Sequence, residues 1–394
     1  MGTVGARVLI SRDWHTWQAS AREVQRTQKV HRTGWGRQVV GAPRGGRPID
    51  VGLPQTYNGL VQHQAFLRWR VRGRRNLARE LNQRTTPSIG IRTRFCLIRV
   101  SQQQNGGQTA LIGILTDTTA SIPRRLIERL QIEVVPYYVH RGLETLKDMV
   151  DVKPAEFADW LARASKLPTT SNPAPGDYFR GLRNLASRVQ GVLALTMTSH
   201  GSGAYQSCRA AVEMFRERTP DVRVEVVDTL QVAMSQGWVA VEAARAAMTG
   251  KGFEDVLERA RETARKGLMI QTADTLRYLY MGGRIGKAQH LLGSLLNIKP
   301  IISMADGEIV ALGTARSRLK AYRRIVDLMQ QRVGEGARIK VAFTHVAARE
   351  RLDQLQAMVT THFECAEILV SELSPALAVH SGPGTVGVSL FPVS

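Results

Sequence analysis

Apolar residues between positions 111 and 266 fall into two alternating patterns. Leu111–Leu115, Ile132–Tyr138, Val192–Met197 and Val222–Val227 are short continuous apolar runs of the length of a buried strand. Between them lie stretches whose apolar positions recur three and four apart: Ile122–Leu130, Phe157–Ser165, Tyr178–Val189, Gly203–Arg216, Val239–Thr249 and Phe253–Lys266. In Tyr178–Val189, Leu182, Leu185 and Val189 share one helical face. Strands alternating with helices predict an α/β domain on a parallel sheet over residues 111–267. The segment from 168 to 172 reads as a polar loop.

Beyond residue 267 the rhythm changes. Thr275–Met281 reads as a helix closed by Gly282-Gly283, because glycine takes the left-handed conformation that ends helices. Gly286–Leu296 reads as another helix. Ile298–Met304 and Glu308–Gly313 flank Ala305-Asp306-Gly307, a hairpin with an Asp-Gly turn. Ser317–Val333 is a long helix, and Ile339–Phe343, Ile368–Glu372 and Thr385–Leu390 are strands around the helix Ala348–Val359. Hairpins mixed with helices predict a second, smaller α+β domain over 268–394.

Residues 1–110 follow neither pattern. They hold four of the six Trp, yet Arg and Gln interrupt each short apolar run. They also hold 18 Arg and one Lys against four acidic residues, a balance of +15 out of +21 for the whole chain. Interleaved Arg and Trp would suit nucleic acid, with guanidinium on phosphate and indole on bases, but no nucleic-acid-binding motif accompanies them. The alternatives are a disordered basic extension, or read-through of an upstream segment that is not native protein. The second is favoured, and then the charge says nothing about nucleic acid. No apolar run reaches the roughly 18 residues needed to span a bilayer. Cys96, Cys208 and Cys365 lie far apart, as expected of a cytoplasmic protein and not of a disulfide scaffold.

Ligands in open parallel sheets sit beyond the carboxyl ends of the strands. Three polar segments stand there: Thr116–Thr119, residues 168–172, and Thr198–Ser202. In the last, Ser202 opens a helix, where free N–H groups favour an anion; the plainer reading is that it caps that helix. Gly201-Ser202-Gly203 is not the GxSxG of a serine hydrolase. A stand-alone lipid hydrolase using Ser202 and His380 remains an alternative. The nine histidines show neither HxxxH nor HExxH, so no metal site is expected. Arg284 and Arg316 each precede a helix, where the dipole disfavours a cation, which mildly favours a task elsewhere.

The motifs occur in one order: Ile114-Leu-Thr-Asp-Thr-Thr-Ala-Ser-Ile-Pro123, Pro168-Thr-Thr-Ser-Asn-Pro173, Thr198-Ser-His-Gly-Ser-Gly-Ala-Tyr-Gln-Ser207, Val227-Asp-Thr229, Leu276-Arg-Tyr-Leu-Tyr-Met-Gly-Gly-Arg-Ile285, Leu296-Asn-Ile-Lys-Pro-Ile301, Asp306-Gly307 and His380-Ser-Gly-Pro-Gly-Thr385. Together they resemble the DegV family of fatty-acid-binding proteins, over about residues 111–394. The resemblance implies two domains with a long acyl chain between them. It implies a carrier, not a catalyst by itself, that presents lipid to a separate ATP-binding fatty-acid kinase subunit, which makes acyl-phosphate for phospholipid synthesis. By the same resemblance Thr170, Ser202 and His380 hold the carboxylate, and Arg316 assists phosphotransfer. The expected ligand is a long-chain fatty acid, with no cofactor and no nucleic acid, and with transient membrane-surface contact possible during lipid exchange. Asn172, Gly201 and Ala204 depart from the family's usual Gln, Leu and Thr. No P-loop, glycine-rich kinase loop or GxGxxG is present for ATP.

Overall fold

Proline decides how the second apolar run folds. Pro136 has no N–H for a sheet ladder, and the expected single strand Ile132–Tyr138 is instead two strands in different sheets. The computed structural model describes residues 111–293 and 298–393; the expectations for residues 1–110 lie outside them. In chain order the first strands are β1 (Ile112–Asp117), β2 (Glu133–Val135), β3 (Tyr138–Arg141), β4 (Glu144–Lys147), β5 (Thr169–Ser171), β6 (Gly191–Thr196) and β7 (Arg223–Asp228). The remainder are β8 (Leu268–Thr272), β9 (Lys299–Ala305), β10 (Glu308–Ala315), β11 (Arg338–His345), β12 (Glu364–Glu372) and β13 (Val386–Pro392).

As the alternation predicts, β2, β1, β6 and β7 form a parallel sheet in that order. The second sheet has six strands in the order β10-β9-β8-β13-β11-β12, antiparallel throughout except for the parallel β11–β12 pair. It is the larger of the two. A third, antiparallel sheet of order β4-β3-β5 stands beside the first. Thr169–Ser171, expected as loop, is therefore a strand that pairs Val139 with Thr170.

The helix Met234–Met248 lies between the two large sheets. A helix apolar on all sides must be buried on all sides, and 12 of its residues are buried. One side packs on Ile114, Leu193 and Leu195 of β1 and β6; the other meets Ala342, Leu369 and Phe391 of β11, β12 and β13. Trp238 donates its indole N–H to the Ser389 carbonyl at 2.9 Å and meets Phe391 edge-on, with centroids 5.6 Å apart. The charged exception is Glu242. Arg245, Arg259 and Lys340 all reach it, and Arg245 continues to Glu367. These partners hold the Glu242 carboxyl below its ordinary range despite burial, which acts the other way.

Two further differences have local causes. Gly286–Leu296, expected as α-helix, is a 3-10 helix over Gly286–Gly293. His380, in a segment where the pattern predicts no helix, lies near the end of a short helix, Pro375–Ser381. Ser374 caps that helix through the Leu377 N–H, and Pro375 takes its first position, where a missing N–H costs nothing. Among the described residues, no helix is long and apolar enough to cross a membrane.

Candidate functional site

Between the two large sheets lies a cavity of about 520 Å³, within the usual range for small-molecule sites. Strand alternation builds one wall: Met269, Gln271 and Ala273 point into it from β8 and its end, as do Ile302 and Met304 from β9. Ile270, between Met269 and Gln271, and Ile301, just before Ile302, face away into a separate core. Met197, Val232, Ala233, Leu373 and Leu377 supply more apolar surface. Its polar lining includes Thr170, Ser202, Tyr137, His380 and Arg284, each brought by a different element.

Ser202 sits in the loop from β6 to the helix Ala204–Arg216. Its Oγ lies 2.8 Å from the Tyr137 hydroxyl and accepts the Ala204 N–H at 3.3 Å, so the capping role and a cavity-facing role coexist. Burial pushes the Tyr137 phenol well above its ordinary range, and the Asp117 charge adds to this. Tyr137 therefore keeps its proton. With Tyr137 donating, both lone pairs of Ser202 Oγ are engaged, and the serine proton is free to point at an anion.

Thr170 and His380 are 210 residues apart, and their Oγ1 and Nε2 atoms lie 2.9 Å from each other. Burial, with the Arg284 charge acting in the same direction, lowers the His380 pKa to about 4. The imidazole is neutral at pH 7. Its Nδ1 is buried without a hydrogen-bond partner and faces the Gly282 backbone: a Cβ on Gly282 would stand 2.2 Å from it. In the tautomer with the proton on Nε2, that N–H donates to Thr170 and leaves the threonine proton free, as with Ser202 when Tyr137 donates. Two hydroxyls, each with an outward proton, form an anion cradle that carries no formal charge of its own.

Arg284 lines the mouth of the cavity, exposed, with one guanidinium N–H donated to the Gly282 carbonyl at 2.7 Å. Arg316 follows β10, is exposed and does not line the cavity. The structure thus gathers Thr170, Ser202 and His380, and Arg284 is the arginine at the mouth. Asn172 donates to Ser207 Oγ and the Pro173 carbonyl, both at 2.9 Å, which fixes the end of β5. The Thr198 hydroxyl donates to the Gly307 carbonyl at 2.8 Å, tying the Ser202 loop to the β9–β10 turn across the cavity.

Beneath the cradle are two buried carboxylates that sequence reasoning did not assign. Asp117 accepts N–H groups from Thr119 at 3.0 Å and Met197 at 3.3 Å; burial raises its pKa. Asp148 accepts the Thr118 hydroxyl at 2.6 Å and the Ala376 N–H at 3.2 Å, and burial raises its pKa to about 6. Asp148 thereby holds the first turn of the helix that carries His380. Tyr137 was also unassigned; its only sequence signal is its place directly after Pro136. Ser202 and His380 do not share a hydrogen bond, so the nucleophile–base contact of a serine hydrolase is not made.

The family model "Uncharacterised protein, DegV family" matches residues 111–393. A DegV domain-containing protein of Caldanaerobacter subterraneus subsp. tengcongensis is 32% identical over 277 residues, which cover 70% of this chain and 97% of that protein. Among solved structures, a fatty-acid-binding DegV family protein from Thermus thermophilus superposes with a TM-score of 0.67 at 31% identity, covering 72% of this chain and 99% of that one. DegV from Bacillus subtilis, a fatty acid binding protein, superposes with a TM-score of 0.65 at 26% identity, covering 72% and 100%.

Proposed function

The chain belongs to the DegV family, and on that premise we propose that it binds a long-chain fatty acid and presents the carboxylate to a separate ATP-binding kinase subunit. One observation carries the reading. The cavity between the sheets is walled by Met, Ile, Val and Leu and also carries two hydroxyls, Ser202 and Thr170, held 2.8 and 2.9 Å from Tyr137 and His380. About fifteen buried methylenes at roughly 0.8 kcal/mol each supply about 12 kcal/mol before ordering costs. A hydrogen bond to a carboxylate adds only about 1.5–3 kcal/mol. The tail sets affinity and the cradle sets orientation. A neutral cradle suits a group that must later react, because a tight ion pair at the carboxylate would make its oxygen a poorer nucleophile. Arg284 at the mouth offsets the charge of an arriving phosphoryl group, a task the family resemblance also gives to Arg316. The product is an acyl-phosphate.

Native mass spectrometry of the purified full chain tests this. A co-purifying species of fatty-acid mass is expected, and acyl-phosphate should form when kinase subunit and ATP are added. Protein that carries no lipid and takes up no fatty acid on incubation would overturn the reading.

A further inference from the structure

Among the described residues Gln271 is the one amide side chain on the six-stranded sheet's cavity wall, and its neighbours on that wall are apolar. It is 7% exposed, and it lines the cavity. On its own strand its same-face neighbours are Met269 and Ala273. Across the ladders it pairs with Ile302 of β9 and Gly387 of β13. Ile302 is apolar and Gly387 has no side chain; a Cβ there would lie 3.2 Å from Gln271 Cβ. Among the described residues, no side-chain hydrogen bond reaches this amide.

Its amide opens onto the cavity, so a chain that fills the cavity strips the amide of water, and an amide then left without a partner is costly. The group that completes it therefore comes from inside the cavity. β8 runs out through Ala273 toward the helix Arg277–Met281, which packs on the helix bearing His380. Gln271 thus stands one same-face step farther from the cradle than Ala273, and Met269 one step farther still. A group meeting it belongs to the interior of a bound chain, neither to its head nor to its tip.

We propose that Gln271 selects acyl chains that carry a hydroxyl within the chain. The amide offers two donors and an acceptor, so a hydroxyl satisfies it in either direction. A plain saturated chain strips water from the amide and returns nothing. A site built to hydrogen-bond a hydroxyl rejects the analogue that lacks one more strongly than an apolar pocket rejects an added one. This rests on the acyl-binding reading above and names the ligand class for the same cavity.

The test uses the delipidated full chain, a saturated long-chain acid, its monounsaturated counterpart and its monohydroxy isomers with the hydroxyl moved along the chain. In wild type one narrow set of hydroxyl positions should bind about tenfold more tightly than the saturated acid. Gln271→Leu should abolish that preference and tighten the saturated acid. Gln271→Met, which keeps the length of the side chain, should do the same and serves if the leucine variant folds poorly. Equal affinity for all hydroxyl positions, or a preference that survives both substitutions, would overturn the proposal. So would a preference for the unsaturated acid alone. If no acid of any kind binds wild type, the acyl-binding reading falls with it; if plain acids bind and the hydroxyl has no effect, only the role of Gln271 falls.

Discussion

Replacing Ser202 by alanine separates two roles of one hydroxyl. In the free protein Ser202 Oγ is the partner of the buried Tyr137 phenol at 2.8 Å. Its removal orphans that phenol, at a cost of about 1–3 kcal/mol in folding stability. When a fatty acid binds, a second loss is added: one hydrogen bond to a charged carboxylate, about 1.5–3 kcal/mol, or roughly tenfold to a hundredfold in Kd. Tyr137→Phe removes the orphaned group. The double variant Tyr137→Phe/Ser202→Ala should therefore recover most of the stability lost by Ser202→Ala and none of the affinity. Denaturant unfolding of the delipidated full chain across the four-member cycle gives the first quantity. Kd for a fatty acid and for its methyl ester gives the second. A double variant no more stable than Ser202→Ala would refute the Tyr137–Ser202 coupling. If wild type binds acid and ester equally, the cradle is not where the carboxylate sits.

Gly282→Ala forces a Cβ to 2.2 Å from His380 Nδ1, so it should displace the imidazole, break the Thr170 contact and weaken fatty-acid binding several-fold; Gly283→Ala, with nothing within 4 Å but φ +67, should lose about 1 kcal/mol of stability with binding unchanged. In pH titrations two buried groups act in opposition. The His380 pKa, lowered to about 4 from 6.5, removes stability as pH falls from 6.5 toward 4, because the unfolded chain then binds the extra proton; the Asp148 pKa, raised from 3.8 to about 6, adds stability as pH falls from 6 toward 4. Denaturant midpoints should accordingly show a steeper acid loss for Asp148→Asn and a shallower one for His380→Gln, and identical slopes would exclude both assignments. Arg316→Ala should leave lipid content intact while acyl-phosphate formation with a kinase subunit falls by orders of magnitude; normal phosphorylation would make it a plain surface residue.

The strands of the parallel sheet were legible because burial on both faces writes them as continuous apolar runs, as in Val192–Met197. β4 and β5 were not. Glu144–Lys147 is mostly exposed, and Thr169–Ser171 is exposed or half-buried throughout, so neither carries an apolar alternation. The helix Pro375–Ser381 announced itself only through Ser374-Pro375, and seven residues are too few for a period to show. Thr170 and Ser202 were readable as polar positions at predicted element ends. That Thr170 pairs with His380, and Ser202 with Tyr137, lay in contacts spanning 210 and 65 residues, which no local spacing encodes. Gln271 was invisible for another reason: its strand, Leu268–Thr272, was not among the predicted elements.

The helix Met234–Met248 has a consequence for how the chain folds. Each large sheet needs this helix to complete one of its faces, and the helix precedes the six-stranded sheet in sequence while packing on both. A fragment ending at Gly267 would keep the four-stranded sheet but expose Trp238 to water, and a fragment starting there would lack the surface that covers Phe391 and Leu369. On this packing, neither half is expected to fold independently. Heat or denaturant should melt both sheets in a single transition, with amide protons of β1 and β13 exchanging through the same global opening. Whatever motion admits a ligand must leave this slab intact and arise in the segments on the cavity side of it.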